Sequence, residues 1–78
     1  MFMLTITVPK ESRIAEYLYD FRFVYRVFSE DSASVTFLYG GSREPFSVIT
    51  KLLSMFDIEQ YTFSKSMTGF SFIVWPNE

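Results

Sequence analysis

Apolar and polar residues along the chain follow two periods, and the changes between them mark out seven segments. Met1 to Val8 alternates Leu4, Ile6 and Val8 with Met3, Thr5 and Thr7, the period-two pattern of a strand with one buried face. Pro9 ends that strand and presets φ for a helix start. From Lys10 to Phe21 the residues Ile14, Tyr17, Leu18 and Phe21 fall at i, i+3, i+4 and i+7. That spacing predicts one stripe of an amphipathic helix, with Arg13, Glu16 and Asp20 on its wet side.

The centre of the chain, Arg22 to Tyr39, holds two runs rich in aromatic and β-branched residues around the polar cluster Ser29 to Ala33, and this predicts a β-hairpin that follows the helix with little or no loop. Alternation puts Phe23, Tyr25 and Val27 on the inner face and Val24, Arg26 and Phe28 on the outer one, with the arginine marking the outer set. In the second strand Val35, Phe37 and Tyr39 point in, and Ser34, Thr36 and Leu38 point out. Gly40, Gly41 and Ser42 then punctuate the chain before a second helix over Glu44 to Phe56. Pro45 suits its first turn, Ser42 or Glu44 its cap, and Phe46, Ile49, Leu52, Leu53 and Phe56 its buried stripe. Two further strand-like runs, Glu59 to Ser64 and Phe70 to Trp75, flank a polar loop ending in Gly69 and read as a closing hairpin.

The order β-α-β-β-α-β plus one strand matches an α+β, ferredoxin-like split βαβ plan: a two-layer sandwich with both helices on one face of an antiparallel sheet and an extra C-terminal antiparallel strand. Right-handed crossovers put the first and third strands at the centre. The first strand of the central hairpin becomes one edge, and the C-terminal hairpin supplies the other. Residues 1 to 78 are expected to form a single compact domain. Thr5, Thr7, Thr36, Gln60, Thr62, Ser64 and Ser71 make the middle of the outer sheet face one that water tolerates.

Composition narrows the range of functions. With 49% hydrophobic and 21% aromatic residues the chain has the material for a rich core, which excludes intrinsic disorder. It has no cysteine, hence no disulfide and no thiolate chemistry, and no histidine. A net charge of −2 without a basic cluster argues against direct nucleic-acid binding. The start of the chain lacks a basic region and a cleavage site, and no apolar run approaches the roughly 18 residues that cross a bilayer. The expectation is a soluble cytoplasmic protein, with no membrane partner.

The acids Glu11, Glu16 and Asp20 lie along one helix, and Glu30 and Asp31 lie in a turn, so no convergent carboxylate pair is expected. Lys10, Lys51 and Lys65 complete the candidate bases. No catalytic residue, metal or cofactor is expected. The segment Gly40, Gly41, Ser42, Arg43 is a candidate anion-binding turn at the start of a helix; its plainer reading is a strand-to-helix turn with a glycine at positive φ.

The element order resembles the RNA-recognition motif, but Thr5, Thr7 and Thr36 occupy the outward positions where that family carries stacking aromatics, and Ser34 to Tyr39 lacks its basic-Gly-aromatic signature. The order is also similar to the ACT-type regulatory domain. That resemblance implies a small-ligand-binding role, with Gly40 and Gly41 at the site. In size and lack of cysteine the chain is similar to phage-encoded inhibitors of host defence, anti-CRISPR proteins among them, which act in the host cytoplasm. Together these point to a non-enzymatic protein-binding module, an inhibitor or regulator of a larger complex. Its partner is another protein or a second copy in a homodimer through a sheet edge. Val24, Arg26, Phe28 and Leu38 form the expected surface, with Ile73 and Trp75 at the opposite edge as the rival.

Overall fold

In the computed structural model, which describes residues 3 to 76, the elements run β1 (Met3–Pro9), α1 (Arg13–Asp20), β2 (Tyr25–Glu30), β3 (Ser34–Tyr39), α2 (Pro45–Met55), β4 (Tyr61–Lys65) and β5 (Gly69–Val74). The first two positions of the expected first strand lie outside the described residues. The strands form one five-stranded sheet in the order β2-β3-β1-β5-β4, so β1 and β3 are central and each hairpin supplies an edge. Leu4, Ile6 and Val8 of β1, Val35 and Phe37 of β3, and Phe70 and Phe72 of β5 form the buried sheet face. Ile14, Ala15 and Leu18 of α1 and Val48, Ile49 and Leu52 of α2 cover it. Each of these side chains larger than alanine contributes roughly 1.5–3 kcal/mol when taken out of water, which is why the period-two and period-3.6 patterns dominate the outcome. Among the described residues no helix is long and apolar enough to cross a membrane.

The sheet is mixed rather than wholly antiparallel. β1 runs antiparallel to β3 but parallel to β5. The cause is the route after α2: the chain first descends at the far edge as β4, and the hairpin then brings β5 back between β4 and β1. The parallel seam is tight where it begins. Gly69 lies opposite Met3, and a Cβ on Gly69 would run into the Met3 carbonyl.

Helix α1 begins later than the proline suggests. Pro9 still belongs to β1, opposite Ser34, and the cap is Ser12, whose Oγ accepts the Ala15 N–H at 3.2 Å while its hydroxyl donates to the Pro9 carbonyl at 2.7 Å. The helix ends at Asp20, and residues 21 to 24 form a turn that returns the chain from the helix layer to the sheet. A connection without a loop is therefore ruled out. α2 starts with Glu44 as N-cap, without a side-chain bond, and Pro45 in its first turn. Its buried face is centred on Val48, Ile49 and Leu52, whereas Phe46 is exposed and rests against Phe63, with 5.1 Å between ring centroids.

The inner face expected for the central hairpin needs correction at β2. The strand begins at Tyr25, so Phe23 stays in the turn and is fully exposed, and Val27 is half-exposed at the sheet edge. Pairing runs Tyr25 with Tyr39, Arg26 with Leu38 and Val27 with Phe37, then slips, with Ser29 opposite Thr36 and Glu30 opposite Val35. Phe28 is the extra residue of a β-bulge, and beyond it the two faces exchange. Glu30 is thereby brought to the helix side, where the Tyr19 hydroxyl donates to it at 3.3 Å and Lys10 Nζ lies 3.5 Å away. Asp31 closes the turn by accepting the N–H groups of Ala33 and Ser34, both at 2.8 Å, and these bonds hold its carboxyl below the usual range.

Candidate functional site

The turn before β2 and the strand itself place Phe21, Phe23, Val27 and Phe28 at the surface, four exposed large apolar side chains within eight residues. Phe23 is fully exposed and Phe28 is 62% exposed. Phe21 meets the ring of Tyr17 at 4.8 Å between centroids, whereas Phe23 and Phe28 make no ring contact among the described residues. β2 pairs with β3 alone, so its other side is a free edge. The Gly40 N–H donates to the Val24 carbonyl at 2.7 Å, and alternation then turns the main-chain groups of Tyr25 and Val27 away from β3. The bulge at Phe28 limits how far a flat strand could extend along this edge.

Of the residues expected here, Arg26 and Leu38 lie directly opposite each other on the sheet face that no helix covers. Arg26 is the one charged side chain among the outward positions of the described strands, which are otherwise mostly hydroxyls, with Thr7 and Thr36 sharing a hydrogen bond at 2.8 Å. Phe28 sits at the boundary, in the bulge. Val24 does not join them. It precedes the strand and is half-buried against the core on the helix side. Phe21, Phe23 and Val27, which the sequence pattern assigned to buried stripes, take its place. The signal for them was available: a chain leaving a helix must turn before it can re-enter the sheet, and that turn consumes the residues just after Asp20.

The rival surface is arranged differently. Ile73 lies on β5, one strand in from the edge, between Thr7 and Thr62. Trp75 follows β5, and its indole Nε1–H donates to Thr62 Oγ1 at 3.0 Å, tying the half-exposed ring to β4.

The Gly40 to Arg43 segment is a turn without positive φ at either glycine. At Gly41 a Cβ would strike the outer end of the Tyr39 ring, so a larger residue there would have to displace that ring. The Tyr39 hydroxyl accepts the Arg43 N–H at 3.0 Å, so this backbone donor is already used. Beside the turn opens a cleft of about 300 Å³ lined by tyrosines, Arg43 and Lys51. Burial, with Tyr17 and Tyr39 close by, pushes the Tyr25 hydroxyl up to about 12 against the opposing pull of Arg43.

A larger cavity, about 540 Å³, lies where the start of α1 meets the end of α2, and Glu11, Asp57 and Glu59 share its wall with Arg13. Among the described residues no group of three or more acids is placed to hold a metal ion. No protein-family model, curated protein or solved structure matches the chain.

Proposed function

We propose that the chain is a non-enzymatic protein-binding module, built on the ferredoxin-like split βαβ plan, that docks another protein or a second copy of itself along the β2 edge. The observation that carries this reading is that Phe21, Phe23, Val27 and Phe28 are all exposed within eight residues, along or just before a free edge strand that also holds Arg26. Large apolar side chains left open in a cluster mark interaction surfaces, and aromatic and arginine residues are the types that dominate binding energy. A role as inhibitor or regulator of a larger complex fits a module of this size whose partner surface is one edge and whose core is fully committed to folding.

The test compares the two edges. Phe28→Ala and Trp75→Ala are made separately, shown to be folded by circular dichroism, and assayed for self-association by sedimentation and for partner capture. Phe28→Ala is expected to weaken whichever association occurs by at least about 2 kcal/mol, the cost of losing a central aromatic anchor. An unchanged Phe28→Ala beside a Trp75→Ala that no longer associates would move the surface to the opposite edge. If neither matters, the reading fails.

A further inference from the structure

The cleft beside the Gly40 to Arg43 turn shares Phe21 with the proposed docking edge but includes none of Phe23, Val27 and Phe28, and it has the features of a ligand site. Its lining combines aromatic and aliphatic residues with Arg43 and Lys51, with no acid among its walls. Arg43 and Lys51 make no ion pair among the described residues, so two positive charges converge on one cleft in a chain of net charge −2. At its base Tyr25 is only 7% exposed, and its hydroxyl has no hydrogen-bond partner among the described residues. Among the described residues no side-chain oxygen or nitrogen is both sealed from water and unpartnered, so that hydroxyl reaches the cleft that Tyr25 lines. A buried tyrosine normally finds a partner for its O–H, and here the opening into the cleft is where one can enter.

We propose that this cleft binds a small organic anion, its flat apolar body against the rings of Tyr17, Tyr25 and Tyr39 and its carboxylate or phosphate held by Arg43, Lys51 and the Tyr25 hydroxyl. The ring centroids of Tyr25 and Tyr39 are 5.5 Å apart and those of Tyr17 and Tyr25 6.5 Å, which gives one continuous aromatic wall. Three aromatic rings alone would equally suit an organic cation. Arg43 and Lys51 reverse that preference by repulsion. The volume, at the lower end of the range for small-molecule sites, suits a single ring with one charged group. Arg43 and Tyr25 line the same cleft, so one ligand head there meets both a cation and a free hydroxyl donor.

The experiment titrates the full chain with benzoate, phenyl phosphate, inorganic phosphate and benzyltrimethylammonium while following amide and tyrosine ring resonances. One or both aromatic anions should give saturable shifts centred on Tyr17, Tyr25, Tyr39 and Arg43, and which of them binds tighter distinguishes a carboxylate head from a phosphate one. Inorganic phosphate, lacking the apolar body, should bind at least about tenfold more weakly, and the cation not at all. Arg43→Gln, Lys51→Gln and the isosteric Tyr25→Phe should each weaken the anion by about three- to tenfold, because each removes a hydrogen bond to a charged head. Phe28→Ala should leave its affinity unchanged, which separates this site from the docking edge. Absence of a saturable shift with both aromatic anions, equal binding of the cation, or undiminished affinity in all three cleft variants overturns the proposal.

Discussion

Strand β4 closes one edge of the sheet and β2 the other, and both carry aromatic residues, yet the chain covers only one of them. At β4, Phe63 stacks on Phe70 with centroids 5.6 Å apart and planes 9° from parallel, Phe46 from α2 packs on both rings, and Tyr61 meets Phe72 at 5.5 Å. Lys65 adds its ammonium over the Phe70 ring at 5.8 Å. At β2 the turn and the bulge point Phe23 and Phe28 into solvent, where neither meets another ring among the described residues. Apolar content at an edge is therefore ambiguous by itself. What separates a structural edge from a docking edge is whether the rest of the chain supplies partners for those side chains.

The contrast predicts a graded set of stability effects. The largest belongs to the seam behind β4. Gly69→Ala forces a methyl against the Met3 carbonyl, and the expected loss in denaturant unfolding is about 3 kcal/mol, the upper part of the range for overpacking. Next is Phe63→Ala, which removes a half-buried ring from a stacked cluster and should cost about 2 kcal/mol in the same measurement. Beside it, Phe23→Ala and Phe28→Ala should each stay within about 0.5 kcal/mol of the parent, because neither ring is packed. A loss of comparable size at Phe28 and Phe63 would erase the distinction between the edges.

A pH-dependent effect sharpens the picture at the start of β2. Tyr25 releases its proton at about 12 in the folded chain against 10.0 as the ordinary value, so between these limits the folded state holds a proton that the unfolded state has lost. Stability contributed by the neutral phenol is fully present below pH 10 and falls as pH rises towards 12. The opening of the hydroxyl to solvent in the cleft reduces the expected loss to about 1 kcal/mol. Tyr25→Phe should flatten this alkaline slope. A slope that persists in Tyr25→Phe would assign it to another group.

Much of this architecture was legible in the residue pattern, for identifiable reasons. Leu4, Ile6 and Val8 against Thr5 and Thr7 fix which face of β1 is buried, and the same alternation in β3 and β5 places the hydroxyl-rich outer face. Side-chain alternation is blind to strand direction, however, so nothing in Phe70 to Val74 distinguishes a parallel neighbour from an antiparallel one. The bulge was equally hidden, because the run from Arg22 to Phe28 keeps a regular beat of large residues and only the register with Phe37 and Thr36 exposes the slip. Phe21 continues the helical spacing of α1 and Phe23 continues the alternation of β2, so each was assigned to a buried face. Both in fact lie where the chain changes layers. The outward placement of Arg26 and Leu38 was legible because they follow the alternation, whereas Phe28 falls in the bulge and the cleft depends on Tyr17, Tyr25 and Arg43 converging from three separate segments.

The proposed docking edge is tested most directly by replacing single residues with the photo-cross-linking amino acid p-benzoylphenylalanine in the source cells. Positions 23 and 28 probe β2, and position 61 on β4, exposed to a similar degree as Val27, serves as the control. Irradiation should give a discrete adduct, to another protein or to a second copy, from positions 23 and 28 and not from 61. An adduct from 61 alone, or the same adducts from all three, would contradict a docking surface on β2.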